Sequence, residues 1–205
     1  MFYDMSDTAD SPAGLGAVIV PRPIGWISTI SAEGAPNLAP YSYFNALSDA
    51  PPIVALGCAP DGREGAGADG RKDTRRNIEE TGEFVWNLAT LDLLEAMDRT
   101  AESVAPEEDE FDLAGLTRAP SEKVRPPRVA ESPVHAECVY MQTLQMRDGH
   151  AIVLGEVIGL HVADDLLIDH PTRPGHKRID IVRARPLARL GGTYSSIDRA
   201  FVPGR

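Results

Sequence analysis

Short runs of β-branched, aromatic and other apolar residues, separated by Gly, Pro and polar breaks, recur along this chain, and few stretches repeat at helical spacing. The first clear pattern runs from Ile24 to Ser31. It mixes β-branched and aromatic residues (Ile24, Trp26, Ile27, Thr29, Ile30), as a half-buried pleated surface prefers. Ala32, Glu33, Gly34 and Ala35 follow as a short turn. A second strand begins after Pro36 and carries Leu38, Tyr41, Tyr43 and Phe44. Upstream, residues 1–15 read as a polar lead-in to one domain over 16–205, and Gly16–Val20 as a short strand. Pro51 and Pro52 then break the chain, and Ile53–Cys58 is a continuous apolar run, the pattern of a buried strand.

A Gly-rich loop over 60–71 leads to a short helix, Arg75–Thr81, capped by Asp73 or Thr74 and ended by Gly82. Glu83–Leu88 is the next strand. Asp92–Ala101 is a helix with one buried face, formed by Leu93, Leu94, Ala96, Met97 and Ala101. Residues 102–132 are rich in Pro and charge, with little regular structure beyond a turn over Phe111–Leu116. A segment of that length wraps the surface or covers a partner. Val134–Met146 is a long strand with Ala136, Cys138, Tyr140, Leu144 and Met146 on one face. Arg147, Asp148 and Gly149 turn it back into Ala151–His161, and Pro186–Tyr194 closes the chain. Six to eight strands with two or three short helices, not regularly interposed, predict a mainly β fold. An antiparallel barrel fits better than a doubly wound sheet, because closure removes sheet edges.

The 205 residues suffice for one domain with a real core, and 42% hydrophobic with 25% charged residues is ordinary for a soluble globular protein. The net charge of −11 disfavours general binding to nucleic acid. No apolar run reaches transmembrane length, and the N-terminus lacks the basic and apolar regions of a secretory signal. Cys58 and Cys138 lie far apart with no CxxC spacing, which points to reduced, buried thiols in a cytoplasmic protein. The acidic run from Glu107 to Glu110 reads as a solvated loop.

Two features carry candidate chemistry. The Ile24–Phe44 hairpin sets small polar groups among aromatics, which suits a wall for a flat ligand and equally an ordinary core hairpin. Lys72, the Thr74 hydroxyl and backbone N–H groups meet at a helix N-terminus, which favours an anion and equally a plain cap. Other motifs fail. Gly65 and Gly70 have P-loop separation, but Arg71 stands where Lys is needed. No GxGxxG follows a strand, and no Ser sits in GxSxG. His135-x-Glu137-Cys138 has no later PCxxC, so no metal is assigned. His150 opens a strand after a tight turn, where it reads as a surface histidine or a ligand contact. The cluster His170, Arg173, His176, Lys177 and Arg178 reads as a solvated loop.

Taken in order, PRPIGWIST, NLAPYSYFNA, KDTRRNI, GEFVWNLA, VRPPRVAESPVHAEC, GEVIGLHV and PLARLGGTYS resemble the flavin reductase-like FMN-binding split-barrel family over residues 16–197. The resemblance implies a six-stranded antiparallel Greek-key split β-barrel with added helices. It implies a homodimer with FMN near the subunit interface and NAD(P)H-dependent flavin reduction, with a monooxygenase or an electron-transfer protein as partner. By motif position it assigns flavin contacts to Pro23, Trp26, Ile27, Ser28 and Thr29, and to Asn37, Leu38, Ala39, Ser42, Phe44 and Asn45. Lys72, Asp73, Thr74 and Asn77 match its phosphate and ribityl contacts. His150 matches its nicotinamide-side histidine, although Asp148-Gly149-His150 replaces the usual Gly-Asp-His order. An electron-transfer flavoprotein without NAD(P)H activity is the alternative, and a barrel holding another planar ligand, a haem or tetrapyrrole, is the third reading.

Overall fold

The computed structural model describes residues 2–4, 14–62, 70–102, 104 and 108–201. Most of the lead-in, the centre of the Gly-rich loop with Gly65, and Glu107 lie outside the described residues. Seven antiparallel strands make the main sheet: β1 (Gly25–Ile30), β2 (Pro36–Tyr41), β3 (Phe44–Asp49), β4 (Pro52–Cys58), β5 (Glu83–Asn87), β6 (Val134–Gln145) and β7 (Ala151–Val162). Their order is β2-β1-β5-β6-β7-β4-β3. Strands distant in sequence lie side by side, β1 with β5 and β4 with β7, as a Greek-key path requires. The fold is mainly β, as the sequence pattern predicts. The helices are α1 (Asp73–Thr81), α2 (Leu94–Arg99) and α3 (Glu110–Ala114).

One core fills the curl of the sheet, where Ile27, Leu56, Phe84 and Val153 meet Ile78 from α1. A second lies on the other side, where Trp26 and Leu38 pack on Met97 of α2 and Phe111 of α3. β1 therefore has apolar cover on both faces. Gly25 is obligatory there, because a Cβ would stand 2.7 Å from the Phe44 ring.

Several sequence expectations need correction. The strand drawn from Leu38 through Phe44 is two strands, broken at Ser42–Tyr43, and β3 brings the main sheet to seven strands rather than six. Gly16–Val20 is no strand but a 3₁₀ turn (Leu15–Ala17) and an irregular run. Its carbonyls at Gly16 and Ile19 accept from Arg22 Nη1, a side-chain substitute for a strand partner. β4 alternates in burial rather than being buried throughout. α1 begins at Asp73 with Lys72 at the N-cap, while Gly82 ends it in the left-handed conformation as expected. The stretch 92–101 is a 3₁₀ turn (Leu91–Leu93) followed by α2.

Leu144 and Met146 do not share a face with Ala136 and Cys138. The β6–β7 register slips by one residue at Met141, which pairs with nothing across the ladder. A bulge of this kind moves every later side chain to the opposite face. Leu144 and Met146 are accordingly 46% and 48% exposed, and Thr143 and Gln145 turn toward α1.

Residues 108–132 wrap the surface as a strap, pinned by buried polar side chains of the sheet. Ser28 Oγ donates to Pro127 O, and Asn87 Oδ1 accepts from Val129 N. The fully buried Glu137 carboxylate accepts from the backbone N–H groups of Glu122, Lys123 and Val124 and contacts His161 Nε2. Burial pushes this carboxyl up, but those hydrogen bonds outweigh it and hold it below the usual range. His135 donates from Nε2 to Val129 O at 2.8 Å, and burial brings its pKa down to about 4.

Two outcomes follow from the strap. Glu137→Ala strands three backbone donors, of which Val124 N is buried, and destabilises the fold by about 3–5 kcal/mol in urea denaturation. His135 is neutral in the folded state, so between about pH 6.5 and about 4 the unfolded chain binds the extra proton. Stability therefore falls as pH drops through that window, and Glu137 adds a further loss below it as its carboxylate protonates. Thermal melts across this range show a flatter upper portion for His135→Gln, and an unchanged slope overturns the assignment.

Candidate functional site

A cleft of about 1150 Å³ opens where β2, β3, β4, the start of α1 and the β6–β7 turn converge. Its floor is a hydrogen-bond network under β2. Asn37 Oδ1 accepts from the hydroxyls of Thr74 at 2.7 Å and Thr29 at 3.3 Å, and Asn37 Nδ2 donates to Glu110 Oε1 at 2.8 Å. Glu110 Oε2 accepts from Leu38 N at 3.0 Å, and Asn77 Nδ2 donates to Thr29 Oγ1 at 3.0 Å. The acidic run is thus not simply a solvated loop: Asp109 caps α3 and Glu110 is buried. Burial raises the Glu110 carboxyl, partly offset by its bonds to Leu38 and Asn37.

The ten residues Pro23, Asn37, Ala39, Ser42, Phe44, Asn45, Lys72, Asp73, Thr74 and His150 line the cleft, among the sixteen singled out in the sequence. Six do not. Trp26, Ile27, Ser28 and Thr29 lie beneath it, because β1 runs between β2 and β5 with both faces covered, and Leu38 of β2 and Asn77 of α1 are turned into the interior. Trp26 Nε1 donates to Thr100 Oγ1 at 2.9 Å, so the indole serves the second core.

At the anion end, the N-cap residue Lys72 makes no side-chain capping bond to α1, whose first turn opens into the cleft. The Thr74 hydroxyl proton is already given to Asn37, and Asp73 pairs with Arg76 at 2.6 Å. What remains for an anion is the Lys72 ammonium, which has no ion pair among the described residues, and the backbone donors of the helix start. At the ring end, Phe44 stacks on Trp86 with centroids 5.8 Å apart, near Pro23, Ala39 and Ala55. His150 and Met146 stand on the remaining rim, delivered by the β6–β7 turn.

Sequence reasoning missed Arg22, Tyr41, Cys58 and Glu110, which also line the cleft. Arg22 Nε donates to Ser42 O at 3.0 Å, and its guanidinium lies over the Tyr43 ring, so it fixes the break between β2 and β3. Tyr41 is hydrogen-bonded to Thr74, and burial raises its hydroxyl pKa. Burial pushes the Cys58 thiol up to about 12, so it stays a neutral thiol and no ready nucleophile. Of these only Tyr41 and Cys58 carried a signal, each closing a strand that points at the cleft. His135 and Glu137 serve the strap, and the basic cluster lies on an exposed hairpin where Lys177 pairs with Asp169.

The Lys72 end, the apolar slot at Phe44 and His150 on the rim thus open into the same cleft. An uncharacterized protein of Aquifex aeolicus is 36% identical over 177 residues, 86% of this chain and 84% of that protein. The solved structure of nitrilotriacetate monooxygenase component B from Bacillus cereus superposes with a TM-score of 0.79 at 31% identity, over 92% of this chain and 91% of that one. Pseudomonas fluorescens 2-nitrobenzoate 2-nitroreductase gives 0.76 at 26% identity, over 92% and 88%. Residues 17–176 match the model of the flavin reductase-like domain. The chain belongs to the flavin reductase-like family, and its fold is that family's split barrel.

Proposed function

We propose that this protein is an FMN-binding, NAD(P)H-dependent flavin reductase that works as a homodimer. The carrying observation is that Lys72, the uncapped start of α1 and the apolar slot at Phe44 open into one cleft. A phosphate dianion fits the first two, because converging N–H donors and an ammonium are matched by its charge. The cleft of about 1150 Å³ exceeds the range of about 300–1,000 Å³ usual for one ligand, which leaves space for a second ring system.

The chemistry supplied by a bound flavin is hydride acceptance from a reduced nicotinamide. The protein's share is positional. Lys72 and the α1 backbone hold the phosphate, Ser42 and Asn45 offer polar groups along the chain, and Pro23, Ala39 and Phe44 confine the ring. His150 borders the side left for the nicotinamide. The Bacillus cereus relative is a monooxygenase component, which supports delivery of reduced flavin to a separate monooxygenase here. Leu47, at 60% exposure, and the outward Leu144 and Met146 give the sheet an apolar outer face beside the cleft, which supports pairing of two copies there.

The test is the spectrum of the purified protein with FMN, followed by anaerobic NADH or NADPH. Bleaching of the flavin band supports a reductase. Bound FMN that neither nucleotide bleaches favours the electron-transfer alternative, and a haem-like spectrum the third reading. Lys72→Ala weakens FMN about ten- to a hundredfold and leaves riboflavin unchanged, since only the phosphate distinguishes the two ligands. An unchanged ratio of the two dissociation constants removes Lys72 from the site. The double variant Leu47→Glu, Leu144→Glu yields monomers by light scattering and loses about tenfold or more in FMN affinity. A wild-type monomer with FMN fully bound rules the dimer out.

A further inference from the structure

Arg75 does not line the cleft, yet its guanidinium joins two of the cleft's walls. It sits in the first turn of α1, directly after the anion-end residues Lys72–Thr74, and is 6% exposed. Nε donates to Glu79 Oε1 at 2.9 Å within the helix. Nη1 donates to Gly149 O at 3.2 Å and Nη2 to Gln145 Oε1 at 3.0 Å, both at the β6–β7 turn that carries His150. Every nitrogen of the planar fork is used, and two of the three bonds leave the helix for that turn.

The turn needs such an anchor. Asp148 and Gly149 both have positive φ, 56° and 77°, the left-handed conformation that costs a non-glycine residue energy. The turn's own bonds are few: Met146 N to His150 O at 2.8 Å and His150 N to Arg147 O at 3.2 Å. Gly149 also approaches Pro60 so closely that a Cβ would lie 3.1 Å from the ring. The side-chain acceptor Gln145 is in place because of the bulge at Met141, which turns Gln145 and Thr143 toward α1. Glu79 is braced in turn by Arg71 at 2.7 Å and by Thr143 Oγ1 at 2.8 Å, so the fork docks on a fixed carboxylate. Burial raises that carboxyl, and the bonds from Arg71, Arg75 and Thr143 bring it below the usual range.

We infer that Arg75 is a positioning residue, which locks the His150 turn to the phosphate-binding end of α1 and so sets the nicotinamide's approach relative to the flavin. The inference rests on the reading of Lys72 and His150 given above. It assigns Arg75 a role in the second substrate's geometry and none in holding the first. Misplacement of a binding wall by an ångström suffices to cost a large factor in rate.

The experiment compares wild type with Arg75→Met, Arg75→Lys and Gln145→Leu. Three quantities are measured: the FMN dissociation constant, KM and kcat for NADH, and amide hydrogen exchange without ligand. In Arg75→Met, KM for NADH rises about tenfold while FMN affinity stays within about twofold. Exchange at residues 147–150 accelerates about tenfold or more, while the α1 amides keep their protection. Arg75→Lys, able to reach one acceptor, restores part of the effect. Gln145→Leu moves KM in the same direction by less, and adds little on top of Arg75→Met, as partners in one interaction must. A purely structural arginine lowers the melting temperature and weakens FMN and NADH together, which overturns the inference. Unchanged exchange at 147–150 overturns it as well. Should Arg75→Met fail to fold, Gln145→Leu carries both readouts. Wild type that binds no flavin refutes the proposed function, and the exchange experiment still decides whether Arg75 fixes the turn.

Discussion

One buried amide joins the parts of this molecule that meet at the cleft. Asn37 belongs to β2, accepts from β1 through Thr29 and from α1 through Thr74, and donates to α3 through Glu110. Each partner comes from a different element, and Asn37 itself is only 9% exposed. In a low-dielectric setting such a network is stable when all its members are satisfied and costly when any is not. This requirement fixes where the helix start stands relative to the sheet. It also explains why Thr74 has no hydroxyl proton left for a ligand, which leaves Lys72 and the backbone as the anion donors.

The strap follows the same logic at the other side of the sheet. Ser28, Asn87 and Glu137 are polar residues inside strands, where local rules favour apolar ones. Each holds a backbone group of residues 122–129, including the N–H groups of the buried residues Val124 and Val129. Trp26, Ile27, Ser28 and Thr29 therefore support the cleft from below.

The strands were legible where a local signal sufficed. Ile24–Ser31 and the 83–87 stretch are rich in β-branched and aromatic residues, the β6–β7 hairpin has a tight turn between long apolar strands, and Gly82 marks a helix end in the left-handed conformation. The helix starts at Asp73, two residues earlier than expected, so Asp73 and Thr74 lie inside its first turn and Lys72 takes the N-cap. Asp73 pairs with Arg76 and Thr74 with Asn37. Glu110 was opaque for a different reason: its partners lie more than seventy residues away, and nothing near it in sequence distinguishes it from its acidic neighbours. Gly16–Val20 carried a strand composition without a strand partner, and composition alone cannot supply one. Seven short motifs in order carried the family. Arg75 had no motif meaning until the fold brought Gln145 and Gly149 to it.

The unpaired Met141 divides β6 into two halves with opposite phase. The inner half answers to the barrel core. The outer half answers to α1 on one face and to whatever lies against the sheet on the other. Single substitutions in either half leave the other undisturbed, so the two can diverge under separate selection. Loss or gain of one residue between Tyr140 and Gln142 is different, because it exchanges inside for outside along the whole distal hairpin at once. The length of the strand therefore decides, in one step, which of its distal side chains meet α1 and which, like Leu144 and Met146, face outward.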